Sequence, residues 1–144
     1  MTDTIKDREA RIIEEFALFD DWMGRYEYLI DMGKSLPPMK DEDRVDQFKI
    51  RGCQSQVWIK PEKTNGTVHF HGDSDALITR GLVALLIRVL DGQPPQDIAG
   101  AELSFLDAIG MKEHLSPTRK NGLASMVKQM KLYGLAYLST DNAG

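Results

Sequence analysis

A single thiol stands in the stretch KIRGCQSQVWIK, where Cys53 follows Gly52, precedes the polar residues Gln54, Ser55 and Gln56, and opens onto the apolar run Val57, Trp58, Ile59. One cysteine forms no intrachain disulfide and is too few for a zinc site built on thiolates, so Cys53 is either an inert small hydrophobe or a working thiol. Free cysteine ranks among the most buried residue types, which favours the first. Its setting favours the second. Gly52 lets the backbone take a positive φ without steric cost, and Lys49 and Arg51 stand close in sequence, where positive charge favours the thiolate over a thiol of pKa about 8.5.

Other reactive groups are few. A hydrolytic dyad needs a histidine to take the thiol proton, and the chain offers only His69, His71 and His114, none within a recognisable dyad or oxyanion motif. His69 and His71 are two apart on an expected strand and share a face, so a metal site with a carboxylate such as Asp73 competes with the plainer reading of two half-exposed histidines beside a turn. Arg119 and Lys120 fall in the first turn of the last expected helix, where the dipole disfavours cations by roughly 0.3–1 kcal/mol. Either solvent makes that harmless or Arg119 faces an anion or a partner. The acidic run Asp41-Glu42-Asp43 reads as a docking feature or as an ordinary solvated loop.

The elements that must position these groups follow from periodicity. Ile5, Ile12, Ile13, Phe16 and Phe19 keep mostly helical spacing, and a second helix capped by Asp20 or Asp21 carries Trp22, Tyr26, Leu29, Ile30 and Met32, with Gly33 and Pro37-Pro38 ending it. The two are expected to pair antiparallel. Pro37 to Ser55 shows no period, and a connection that long in a compact domain is functional or disordered. Strands are expected at 56 to 61 and 66 to 71, joined through the hairpin signal Asn65-Gly66, with Trp58 and Phe70 as anchors between sheet and helices. Asp73 or Ser74 then caps a helix apolar on almost every face, closed by Gly92 and Pro94-Pro95, which belongs at the centre of the fold. Residues 95 to 115 read as two or three short helical turns. Ser116-Pro117 starts a last helix with Leu123, Met126, Val127, Met130, Tyr133 and Tyr137 on one stripe. The class is α+β: a small, hairpin-based antiparallel sheet with helices over one face.

The 144 residues, 42% apolar and 28% charged, suit one domain over 1–144. A net charge of -4 without a basic block argues against nucleic acid and anionic lipid as partners. The start MTDTIKDREARIIEEF has neither the basic opening nor the apolar stretch of an export signal. The greasiest segment, ending at Leu90, runs only about 15 residues and contains Arg80 and Arg88, too short and charged for a bilayer. The expected location is the cytoplasm.

GCQSQVWI, followed by HGDSDALITRGLVALL and LSPTRKNGL, resembles the SufE family of sulfur acceptors in iron-sulfur cluster biogenesis, and YEYLIDMGKSLP and DEDRV extend the likeness to about residues 12–137. The resemblance implies a small α+β protein that takes sulfane sulfur from a SufS-type cysteine desulfurase, a pyridoxal-phosphate enzyme, stimulates it and passes the sulfur towards an iron-sulfur scaffold. It implies no cofactor on this chain. The matching acceptor is Cys53, which would carry the sulfur as a persulfide. A carrier needs one thiol, since a second nearby would resolve the persulfide to a disulfide. On this reading the long loop is a mobile arm with Gly52 as hinge and Gln54 and Ser55 beside the thiol, and the surfaces near Asp75 and Arg119 contribute to docking. Two other readings remain: a stand-alone thiol enzyme such as a small peroxidase, and an adaptor whose cysteine is inert.

Overall fold

The computed structural model describes residues 3–143. Helix α1 (Ile5–Phe16) opens on a reciprocal cap in which the Thr4 hydroxyl accepts from Asp7 N–H and the Asp7 carboxylate accepts from Thr4 N–H. Helix α2 (Trp22–Ser35) is capped by Asp21, whose carboxylate accepts from Gly24 N–H at 2.8 Å. The expected pairing of these two helices needs correcting. Phe16 and Phe19 do meet Tyr28, but α2 packs chiefly along α3 (Leu77–Leu90). Gly33 is the reason. It lies inside α2 rather than ending it, and a Cβ there would sit 2.7 Å from Gly81 N, while a Cβ on Gly81 would overlap the Leu29 carbonyl oxygen. Two glycines thus let the helix backbones touch.

Strands β1 (Val57–Thr64) and β2 (Thr67–Ser74) pair antiparallel from Val57↔Ser74 to Thr64↔Thr67. Asn65 and Gly66 both have positive φ, 53° and 83°, as a two-residue type I′ turn requires. Val57, Ile59, Val68 and Phe70 are buried on the face that α3 and α7 (Pro117–Ala143) cover. Trp58 is therefore not an anchor to the helices. Alternation turns it to the other face, because Val57 and Ile59 take the inner positions.

The expected cap of the central helix also fails: Asp73 and Ser74 belong to β2, and α3 begins after Ala76 without a side-chain cap. The helix gains its stability from burial instead. Leu82, Val83, Leu85, Leu86, Val89 and Leu90 are all buried, and Arg8 of α1 donates to the carbonyls of Val89 and Asp91 at its carboxyl end, where a cation is favoured. Three short helices follow, α4 (Pro95–Ala99), α5 (Phe105–Ala108) and α6 (Met111–His114), before α7, whose first turn is capped by Ser116 Oγ accepting from Arg119 N–H at 3.3 Å. Leu123, Met126 and Met130 are its buried stripe. The architecture is the expected α+β arrangement, a two-stranded sheet with helices over one face. Among the described residues no helix is long and apolar enough to cross a membrane.

Candidate functional site

The segment from Pro37 to Ser55 is not a free arm. It folds into two 3-10 turns, Asp41–Asp43 and Asp46–Phe48, and rejoins the sheet where Lys49 bridges to Trp58 and Ile50 N–H donates to Val57 O at 2.8 Å. The reason was hidden in Asp73. This buried carboxylate accepts from Arg44 Nη2 at 2.8 Å and from Met39 N–H at 3.2 Å, receives Ser74 N–H, and lies 3.4 Å from Arg80 Nη1, so it ties the loop to β2 and α3. Burial by itself would raise its pKa, but the Arg44 hydrogen bond, the two backbone donors and the Arg80 charge together hold the carboxyl below its usual value. Lys60 takes Asp43 at 2.9 Å and Arg44 takes Asp41 at 2.7 Å. Two of the three residues in the acidic run, Asp41 and Asp43, are thus absorbed into ion pairs.

Outside these ties lies the short loop Arg51–Gln56. Its glycine, Gly52, has φ +88°, a conformation that any side chain makes strained, and it sits where a Cβ would be 2.7 Å from Ser125 Oγ. Gly52 therefore supplies the bend that turns the chain into the loop. At the other end Asp75 closes the loop: its carboxylate accepts from Gln56 N–H at 3.0 Å and its own N–H donates to Gln56 O at 3.3 Å.

Cys53 is half-buried, and its thiol lies 3.6 Å from the carbonyl of Gly122 on α7 as a weak donor. A Cβ on Gly122 would stand 3.4 Å from the sulfur, at ordinary van der Waals contact, so the thiol rests directly over this glycine of the helix. Beside the thiol is a cavity of about 210 Å³. Gln54 and Ser55 line it from the loop, Thr79 and Leu82 from α3, and Thr118 and Arg119 from the start of α7. Sequence distance hides this meeting. Cys53 and Arg119 share one cavity, whereas Asp75 does not line it. The sequence reading missed Thr79, Thr118 and Gly122; Gly122 stands in the LSPTRKNGL segment, but nothing local marks it as the thiol's neighbour.

The expected help from Lys49 and Arg51 is not realised. Both line a separate depression with Ser125 and Tyr133, and burial pushes the Cys53 thiol up from its ordinary value. Iodoacetamide should accordingly modify the isolated protein slowly at neutral pH, with a rate that climbs through a midpoint above the about 8.5 of an ordinary thiol. A midpoint clearly below that value would mean that a cation reaches the sulfur after all.

The histidines take ordinary roles. His69 pairs with Asp91 at 3.5 Å, His71 with Glu62 at 3.2 Å, and His114 stacks on Trp22 with ring centroids 4.2 Å apart. Asp73 is engaged by the arginines, and no group of three ligating side chains able to hold a metal occurs among the described residues.

The family model for SufE, described as an Fe-S metabolism associated domain, matches residues 10–133. An uncharacterised SufE-like protein of Rhizobium etli is 42% identical over 126 residues, covering 84% of this chain and 85% of that one. Another from Rhizobium meliloti is 40% identical with 84% and 90% covered, and one from Synechocystis 39% identical with 93% and 84% covered. The solution structure of a hypothetical protein from Thermus thermophilus superposes with a TM-score of 0.76 at 18% identity, covering 92% of this chain and 96% of that one. That likeness shows a shared fold.

Proposed function

The chain belongs to the SufE family, whose domain is associated with iron-sulfur metabolism, and from that premise we propose that Cys53 accepts persulfide sulfur from a SufS-type cysteine desulfurase and passes it towards an iron-sulfur scaffold. The observation that carries the reading is the half-buried thiol beside its own small cavity with Arg119 on the wall. In the transfer, the Cys53 thiolate attacks the terminal sulfur of the partner's persulfide. A new sulfur-sulfur bond forms at Cys53 Sγ as the partner's own one breaks, and the partner's cysteine leaves as thiolate. Cys53 gives up a proton and the departing thiolate takes one, so charge and electrons balance without an external oxidant.

Because burial disfavours the free thiolate, deprotonation falls to the complex, where the partner supplies a base or a positive field. A resting thiol of this kind reacts slowly with stray electrophiles and faster once docked. The same property weighs against a peroxidase, which needs a low-pKa thiolate in the protein alone. Partial exposure beside a cavity weighs against an inert packing cysteine.

Arg119 is the second residue of the proposal. It is exposed, stands in the first turn of α7, and forms no ion pair among the described residues. Arg119→Ala should lower the stimulation of desulfurase turnover while leaving α7 as stable or more stable by up to about 1 kcal/mol, since a cation leaves the positive end of the helix. Sulfide release with the desulfurase and cysteine, and melting on the same preparation, test this. Unchanged stimulation would remove Arg119 from the site, and a joint fall would make it a structural residue.

A further inference from the structure

The outer side of α7 carries a second feature that the thiol site does not use. Between this helix and the segment around α4 to α6 runs an open groove of about 860 Å³. Its floor is apolar, with Leu103, Leu106, Leu123 and Val127, and Ala99 and Ala124 keep it low enough for another backbone to approach. Leu132 and Leu135 stand at its edge, 45% and 49% exposed. Lys112, Lys120, Lys128 and Lys131 also line it, against one acidic residue, Glu102. Lys112 reaches Asp107 at 3.5 Å, whereas Lys120, Lys128 and Lys131 form no ion pair among the described residues. In a chain of net charge -4 this is a local concentration of free positive charge around exposed leucine.

Shape and charge select the occupant. From Lys120 to Leu135 the groove follows about 22 Å of helix at 1.5 Å per residue, the length of a four-turn partner helix. An apolar floor with a lysine rim complements a helix with leucine on one side and carboxylates flanking it. A second copy docked by the same face would set lysines against lysines. Position then narrows the partner. Lys128 and Leu132 also line the neighbouring depression that contains Arg51, so the groove adjoins the depression beside the loop carrying Cys53. Yet groove and thiol cavity share no residue, which leaves the cavity mouth open to the sulfur donor while the groove is filled.

We infer that the lysine-rimmed groove along α7 docks an acidic amphipathic helix of the protein that receives sulfur from Cys53. The inference rests on the carrier reading above for its partner's role, though the groove's chemistry is independent of it.

The test uses the full chain and a fluorescein-labelled synthetic peptide of about 18 residues, with leucine at i, i+3, i+4 and i+7 and glutamate on the flanks, followed by anisotropy. The expected result is saturable binding that weakens with salt. A scrambled peptide of equal composition and the double variant Lys128→Glu, Lys131→Glu should each bind about tenfold more weakly or worse. Both lysines are on the surface side of α7, and circular dichroism verifies that the variant is folded. Loading of Cys53 by a desulfurase should be unchanged in that variant. Equal binding of the scrambled peptide, or undiminished binding by the double variant, would overturn the inference. So would binding to phosphatidylserine vesicles with none to the peptide, or a dimer that the charge reversal abolishes. If loading falls together with peptide binding, the groove is the donor's seat and the inference fails. Failure of the wild-type chain to accept sulfur while it still binds the peptide would instead defeat the carrier reading and, with it, the receiver's identity.

Discussion

Cys53→Ser should abolish sulfur acceptance completely and leave the fold intact. The chain has no second cysteine to take over, so the expected activity is zero rather than reduced. The stability change should be small, within about 0.5 kcal/mol, because the substitution is nearly isosteric at a half-buried position. Serine keeps the contact that the structure gives the thiol, a hydroxyl donor replacing the weak S–H towards Gly122 O. Desulfurase stimulation and urea unfolding on one preparation would separate chemistry from folding. Residual acceptance by the serine variant would remove Cys53 from the reaction, and a large stability loss would make its packing role primary.

Asp73→Asn should cost about 3 kcal/mol of stability, the lower end of what breaking a buried ion pair costs. The asparagine fills the same space but leaves Arg44 and Arg80, both largely covered, facing a neutral amide, and it replaces one oxygen of a carboxylate that receives two backbone N–H groups as well. The sign of the pH effect follows from the lowered pKa. Stabilisation by Asp73 is present in full above the unfolded carboxylate value of about 3.9 and is lost as pH falls through the still lower folded value. The wild type should therefore lose stability in that acid range more steeply than the variant. Denaturant titrations at neutral and acid pH check both points; a loss under about 1 kcal/mol at neutral pH would mean that the network does not hold the loop.

These two residues also mark what a chain discloses of itself. Local signals were readable: the positive-φ pair Asn65-Gly66 dictated the hairpin turn, Ser116 and Asp21 capped the helices they precede, and the unbroken apolar pattern of α3 placed it at the centre. Cys53 was legible because a lone thiol behind a glycine is unusual, and because the surrounding motif resembles a family. What escaped was decided by partners far away in sequence. Asp73 looks like a helix cap from its neighbours, yet Arg44 and Met39 claim it from the loop. Gly33 looks like a helix stop, yet Gly81 needs its missing Cβ. Trp58 looks like a core anchor, but strand alternation gives the inner face to Val57 and Ile59. The electrostatics of the thiol failed for the same reason, since Lys49 and Arg51 are adjacent in sequence but line a different depression.

The central claim is that sulfur arrives covalently on Cys53, and mass spectrometry tests it most directly. The protein is incubated with a cysteine desulfurase and cysteine, quenched with an alkylating agent, and digested. The account predicts a gain of one sulfur atom on the peptide that contains Cys53, removable by a thiol reductant and absent when cysteine is withheld. An unmodified Cys53 peptide, recovered while the desulfurase turns over and releases sulfide at the rate it shows without this chain, would contradict the account.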